Sequence, residues 1–297
     1  MPFRAEGSPF DLENDRAYQQ WRARKLSQVP VSIEQLVVEV DHPGRLSDTE
    51  LEALRTHCRH SNMVIYASAK PLEDSAAILA LGQRFGLMRL DANWLADEDG
   101  VSRIAVGADA LHKAYIPYTN RPIKWHTDGY YNTEEHRIRG MILHCVRSAE
   151  IGGENRLMDH EIAYILLRDA NPDYIRTLQA SDAMTIPERE DENGVARAAQ
   201  TGPVFSVDAT TGSLHMRYTA RTRSIEWKQD STTLAAVAEL ERILSDASSP
   251  YVYRVRLEPG MGLICNNVLH DRAGFTDNPR LPRLLYRARY YDRIAGT

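Results

Sequence analysis

The chain has 297 residues, of which 43% are hydrophobic and 26% charged, with a formal net charge of −5 at pH 7. That apolar content suffices for a substantial core, in one large domain or two smaller ones, and the acidic balance argues against a general nucleic-acid binder, which presents a basic face. The three cysteines, Cys58, Cys145 and Cys265, form no C-x-x-C pair, the start Met1–Gly7 lacks an apolar signal core, and no apolar run reaches membrane length, so the expectation is a cytoplasmic protein with reduced thiols and no membrane partner.

In chain order, residues 10–27 are charged and read as a helix, and a strand follows near Leu36 to Val40. Ser47-x-x-Glu50 has the form of a capping box opening a helix over 48–60. Met63-Val64-Ile65-Tyr66-Ala67 reads as a buried strand, and a second helix covers Leu72 to Phe85. From about residue 102 the strands become short and separated by turns: Arg103–Val106, Ile123–His126, Met141–Arg147, Asn155–Met158, Ala183–Ile186, Phe205–Val207, Ser213–Arg217, Tyr251–Leu257, Gly262–Asn266 and Leu284–Tyr291. Helical stretches at about 159–180 and 231–246 interrupt them. Many short strands with Gly and Pro turns fit a jelly roll or barrel. Without a repeat or an obvious linker, the expectation is one domain over 1–297: a helix-and-strand part over 1–100, then a core over 101–297 with an insertion at about 159–250.

The most informative motif is Trp125-His126-Thr127-Asp128, answered far downstream by His270. Alternate side chains of an extended chain point the same way, so His126 and Asp128 can reach one metal. Two imidazoles and one carboxylate on one face of a divalent iron, with the opposite positions open, are typical of non-haem Fe(II) oxygenases. Trp125 faces the other way and packs. His57-Cys58-Arg59-His60 resembles a metal tract but lies in a helical pattern, where adjacent residues diverge, and His215 is not needed as a ligand. Arg283 and Arg287, four apart on a strand, share a face, and an arginine fork suits a carboxylate. The stretch Leu111 to Asn120 is a candidate lid or pocket wall, and Arg217 or Arg221 can lie near a substrate.

Trp-His-Thr-Asp at 125–128, Gly152-Gly153-Glu154-Asn155, Leu269-His270-Asp271-Arg272 and Arg283-x-x-x-Arg287 together resemble the TauD/TfdA family of Fe(II)/2-oxoglutarate-dependent dioxygenases. Tyr118-Thr119-Asn120 through Tyr131, with the later Gly-Gly-Glu-Asn, is also similar to the γ-butyrobetaine hydroxylase branch. The resemblance implies a mainly β fold with helices, a double-stranded β-helix (jelly roll) with buttressing N-terminal helices and a helical insertion. It implies Fe(II) on His126, Asp128 and His270, the far carboxylate of 2-oxoglutarate on Arg283 with help from Asn155, and an anionic group of substrate or cosubstrate at Arg287. Arg272 is expected in a structural salt bridge. The implied reaction consumes O2 and 2-oxoglutarate, releases succinate and CO2, and hydroxylates a C–H bond of a small, acidic molecule. Asp128 sets the chain apart from halogenating relatives, which leave that position open for halide. Two other classes stay open: a jelly-roll metalloenzyme that does not use 2-oxoglutarate, and a non-catalytic small-molecule binder. The sequence sets neither the substrate nor the oligomeric state.

Overall fold

A computed structural model of the chain describes residues 7–70, 72–91, 99–107, 115–191, 194–222 and 225–297. Helix α1 (Asp15–Ser27) begins later than the charge pattern suggests, because the Asn14 side chain accepts from the Ala17 amide and caps it there. After β1 (Val37–Glu39), α2 (Asp48–Ser61) opens with both halves of the Ser47/Glu50 capping box and stops at Asn62, which is left-handed at φ 57°. Next come β2 (Met63–Ala67), α3 (Ser75–Arg84), β3 (Ser102–Ile104), β4 (Ile123–His126), β5 (Gly140–Arg147), β6 (Ile151–Gly152) and β7 (Asn155–Met158).

The helical stretch expected over 159–180 is two helices, α4 (His160–Ala170) and α5 (Pro172–Leu178). Pro172 has no N–H to donate and forces the preceding residue out of helical backbone; Asn171 is extended at φ −165°, ψ 119° and caps α5 instead. Short strands follow: β8 (Met184–Ile186), β9 (Arg189–Asp191), β10 (Gly194–Arg197), β11 (Gln200–Gly202), β12 (Phe205–Val207), β13 (Leu214–Met216) and β14 (Glu226–Trp227). After α6 (Ser231–Ser245) the chain ends in β15 (Tyr253–Val255), β16 (Met261–Cys265), β17 (Leu269–Arg272), β18 (Phe275–Thr276) and β19 (Leu284–Tyr290). None of the described helices is long and apolar enough to cross a membrane, and all three cysteines are free thiols.

This mixed helix-and-sheet fold comprises two compact units. One gathers the described parts of Pro30–Lys124, His136–Leu157 and Tyr253–Thr297. Its main sheet has six strands in the order β1-β2-β16-β5-β19-β3, antiparallel except for β1 with β2. A four-stranded sheet runs β15-β7-β17-β4, and β18 pairs with β6. The period-two rule divides the main sheet cleanly. Met63, Ile65, Met141, Leu143, Cys145, Leu263, Cys265 and Leu285 share one cluster with Leu157 and Tyr253 of the four-stranded sheet. Val64, Tyr66, Ile142, Val146, Ile264, Tyr286, Ala288 and Tyr290 face the other way, onto Leu51, Leu54, Ile78 and Leu81 of α2 and α3. Each fully buried aliphatic chain of this kind contributes roughly 1.5–3 kcal/mol relative to exposure. His144 is fully buried in β5, where its ring nitrogens meet the Tyr66 hydroxyl at 2.9 Å and the Leu72 carbonyl at 3.0 Å.

The other unit gathers the described parts of Met1–Val29, Trp125–Glu135 and Met158–Val252, so it holds α1 and the whole stretch expected as an insertion. Helix α1 packs on α4 here. Its Tyr18 hydroxyl donates to Asp169 at 2.8 Å, and buried Lys25 lies 2.6 Å from both Asp159 and Glu161. Phe10, Trp21 and Phe205 surround Tyr164 edge-on.

Candidate metal and cosubstrate site

His126 is the last residue of β4, and the segment after it is fastened by a second stretch of chain. The Thr127 amide donates to the Tyr218 carbonyl at 3.0 Å, the Tyr218 amide donates back to the Thr127 hydroxyl at 3.1 Å, and the Ala220 amide donates to the Trp125 carbonyl at 2.8 Å. Gly129 then turns the chain at φ 67°, a conformation that costs a glycine little. The outcome is a short separation between the two sequence-predicted ligands: His126 Nε2 lies 3.7 Å from Asp128 Oδ1. Asp128 is buried, and Tyr130 sets its ring edge-on to the His126 imidazole at 6.5 Å.

His270 lies on β17, a strand the sequence pattern does not announce. Its Nδ1 is 2.9 Å from the Val268 carbonyl. A carbonyl only accepts, so the proton sits on Nδ1 and the lone pair is on Nε2, the tautomer that suits a metal ligand. One ligand atom each from His126, Asp128 and His270 lies within 4.8 Å of the others, the one such group of three among the described residues. Two neutral-capable imidazoles and one carboxylate are a donor set that fits divalent iron.

Arg283 precedes β19 and is buried. Among the described residues its guanidinium has neither hydrogen bond nor ion pair; it lies over the Phe275 ring, 5.0 Å from the centroid. Burial holds its pKa down at about 10, partly offset by Cys145 and Asp277. The Gly-Gly pair of the motif turns beside it at φ 79° and 80°, and a Cβ on Gly152 would strike the Gly274 carbonyl. A buried, unpaired cation is costly, and this one fits a carboxylate ligand such as the far end of 2-oxoglutarate.

Arg287 has the same parity on β19 as Leu285, whose side chain enters the cluster shared by the two sheets. Arg289, also of that parity, is committed to an ion pair with buried Asp91. Among the described residues Arg272 makes no ion pair in place of the salt bridge expected of it. Arg272 donates to three backbone carbonyls, of Pro117, Thr119 and Arg121, at 3.1, 2.6 and 2.6 Å. Its pKa is pushed down to about 9, by burial first and then by the charges of Arg283 and Arg287. Asn155 is buried and its Nδ2 donates to the Asp271 carbonyl at 2.6 Å, bracing the strand that carries His270. The Asp271 carboxylate is taken by Arg156, whose Nε donates at 2.8 Å.

Other sequence candidates have structural employment. Arg217 donates to the carbonyls of Met184, Gly202 and Gln200 at 2.8, 3.1 and 3.3 Å. Cys58 is buried in the apolar cluster behind the main sheet, as its place in a helix suggests. Of the candidate lid, Leu111–Ala114 lies outside the described residues, and its far end is held by Arg272. Tyr218, Tyr130 and the Val268 carbonyl support the ligands without having stood out in the sequence. Backbone carbonyls leave no residue-type signal, and a tyrosine beside a motif is indistinguishable from a core residue until its neighbours are known.

The profile of the "Taurine catabolism dioxygenase TauD, TfdA family" matches residues 22–289. The chain belongs to that family, as its motifs imply. Among curated proteins it is similar to a uridine-5'-phosphate dioxygenase from an Amycolatopsis species, 34% identical over 170 residues, covering 56% of this chain and 60% of that protein. A Streptomyces uridine-5'-phosphate dioxygenase is 28% identical over 200 residues, covering 65% and 69%. The match thus spans about three fifths of the first relative's length. Among solved structures, the non-heme iron oxygenase OrfP in complex with Fe and alpha-ketoglutaric acid superposes with a TM-score of 0.61 at 16% identity, covering 84% of this chain and 81% of that one. Asparagine oxygenase in complex with Fe(II), 2S,3S-3-hydroxyasparagine and succinate gives 0.58 at 15% identity, covering 86% and 93%. At such identities the likeness is one of fold.

Proposed function

We propose that this chain is an Fe(II)- and 2-oxoglutarate-dependent dioxygenase that hydroxylates a C–H bond of a small acidic molecule, using O2 and releasing succinate and CO2. The observation that carries the reading is the approach of His126, Asp128 and His270 to within 4.8 Å. These three hold the metal, and Asn155 and Arg283 serve the cosubstrate, Asn155 by fixing β17 and Arg283 by a two-pronged bond to the far carboxylate. Arg287 meets an anionic group of the substrate. When bound, iron supplies the coordination positions at which O2 and 2-oxoglutarate react. The rest falls to the chain: Val268 keeps the His270 proton on Nδ1, Arg283 orients the cosubstrate through charge-assisted bonds, and the apolar surroundings of Arg283 strengthen that attraction. The supporting scaffold is read as one jelly-roll dioxygenase domain acting in the cytoplasm.

The relatives' names make uridine 5'-phosphate the first substrate to test, a small molecule of the acidic class expected. The experiment is succinate formation in Fe(II), ascorbate and 2-oxoglutarate, with oxygen uptake followed in parallel, across uridine 5'-phosphate, uridine, amino acids, betaines and sulfonates. A several-fold rise in both signals with one of these compounds is expected. Absence of succinate and oxygen uptake with every class would overturn the reading in favour of a binding protein.

A further inference from the structure

A second cationic group lies in the unit that carries His126. Arg197 ends β10, and its register partner on the antiparallel neighbour β9 is Arg189. Like charges directly opposite each other destabilise a two-stranded ribbon. Among the described residues no carboxylate pairs with Arg197. Its one hydrogen bond there runs from Nη2 to the Pro187 carbonyl at 2.6 Å, while its Nη1 is buried with no hydrogen-bond partner. Burial lowers its pKa, offset by Tyr130 and Tyr131 and reinforced by Arg189.

The guanidinium lies over the Tyr131 ring, 5.7 Å from the centroid. Tyr131 meets Tyr130 edge-on at 5.1 Å, and Tyr130 meets the His126 imidazole at 6.5 Å. Thr219 and Arg221 lie close enough to the Tyr130 hydroxyl to act on it electrostatically. A continuous run of rings therefore leads from the candidate metal ligand to Arg197, whose Nη1 has no hydrogen-bond partner among the described residues.

We propose that Arg197, backed by Tyr131 and helped by Arg221, binds the phosphate of a phosphate-monoester substrate and so sets specificity for such substrates. The proposal rests on the dioxygenase reading above and adds the residues that select the substrate. A phosphate offers several acceptor oxygens for the open Nη1 and neutralises the Arg189–Arg197 repulsion, and the ring behind the guanidinium holds its plane toward the ligand.

The test is calorimetric titration of the full chain, loaded with Fe(II) and 2-oxoglutarate without oxygen, using uridine 5'-phosphate, uridine and inorganic phosphate. Wild type is expected to bind uridine 5'-phosphate at least about ten-fold tighter than uridine, because one charge-assisted bond is worth that much. Arg197→Gln should remove most of this preference while leaving uridine affinity as it was. Arg197→Lys should recover part of it, and Arg221→Gln should produce a smaller loss. Equal losses for uridine and its phosphate would assign Arg197 a structural role and overturn the proposal. So would an unchanged preference in Arg197→Gln, or a wild type that prefers neither uridine 5'-phosphate over uridine nor binds inorganic phosphate. Phosphate binding that depends on Arg197 without succinate release would sink the substrate reading and leave the anion site standing.

Discussion

Replacing Arg283 by Met separates cosubstrate binding from folding, because among the described residues the arginine is a buried cation without an ion-pair partner. Its guanidinium has no hydrogen bond or ion pair among the described residues, and burial holds its pKa at about 10. The folded state thus binds this proton less tightly than the unfolded chain does. At pH 7 the full penalty is present, and it is relieved only as pH rises through about 10 toward the ordinary arginine range. With a factor of ten worth about 1.4 kcal/mol, the penalty is on the order of 3 kcal/mol. Methionine fills similar space without charge, so urea unfolding of the metal-loaded variant without 2-oxoglutarate should show stability equal to wild type or up to about 3 kcal/mol higher. Adding 2-oxoglutarate should reverse the order. Wild type gains about 2.7 kcal/mol at a hundred times its Kd, and the variant gains almost nothing at the same concentration. A variant that is stabilised by 2-oxoglutarate as much as wild type would refute the assignment of Arg283. One that loses several kcal/mol without ligand would refute the claim that its charge is unpaired.

Further outcomes are expected elsewhere. Ala at His126, Asp128 or His270 should abolish succinate formation and the binding of one divalent metal per chain; full turnover in Asp128→Ala would remove the metal assignment. Arg287→Gln should weaken the substrate's hold by about ten-fold with little change in the 2-oxoglutarate titration, and the opposite pattern would make Arg287 a cosubstrate residue. Lys25→Met leaves Asp159 and Glu161 buried without their cation and should cost about 3–5 kcal/mol in urea unfolding; a loss below about 1 kcal/mol would show that the pair is solvated. His144 is held neutral by burial, which lowers its pKa, so its stability contribution is present above about pH 6.5 and is lost as pH falls below it. His144→Gln should flatten the fall in unfolding free energy between about pH 7.5 and 5.5, and an unchanged slope would point to another group.

Local chemistry in the sequence determined much of this protein. The Ser47/Glu50 box starts α2 where expected, and Ile123–His126 and Asn155–Met158 are strands over the spans read from their apolar positions. The donor types and the His-x-Asp spacing named the candidate ligands because two alternate side chains of one segment need no distant partner to converge. Even Pro172, read through as helix, carried its own signal in the backbone it forbids to Asn171.

Strand β17 shows what the sequence could not decide. Leu269-His270-Asp271-Arg272 has three polar residues in a row and no period-two pattern, yet all four are buried. They form a strand because β7 and β4 flank them and because each polar group finds a partner brought from elsewhere: Val268 for His270, Arg156 for Asp271, and three loop carbonyls for Arg272. The same holds for Arg272, expected to meet a carboxylate, and for Arg197, which no motif marked. Residue type states what a side chain can bind. Only the tertiary fold, by closing long stretches of chain and withdrawing water from some charges while leaving others solvated, decides which partner it has and which arginine is left needing a ligand.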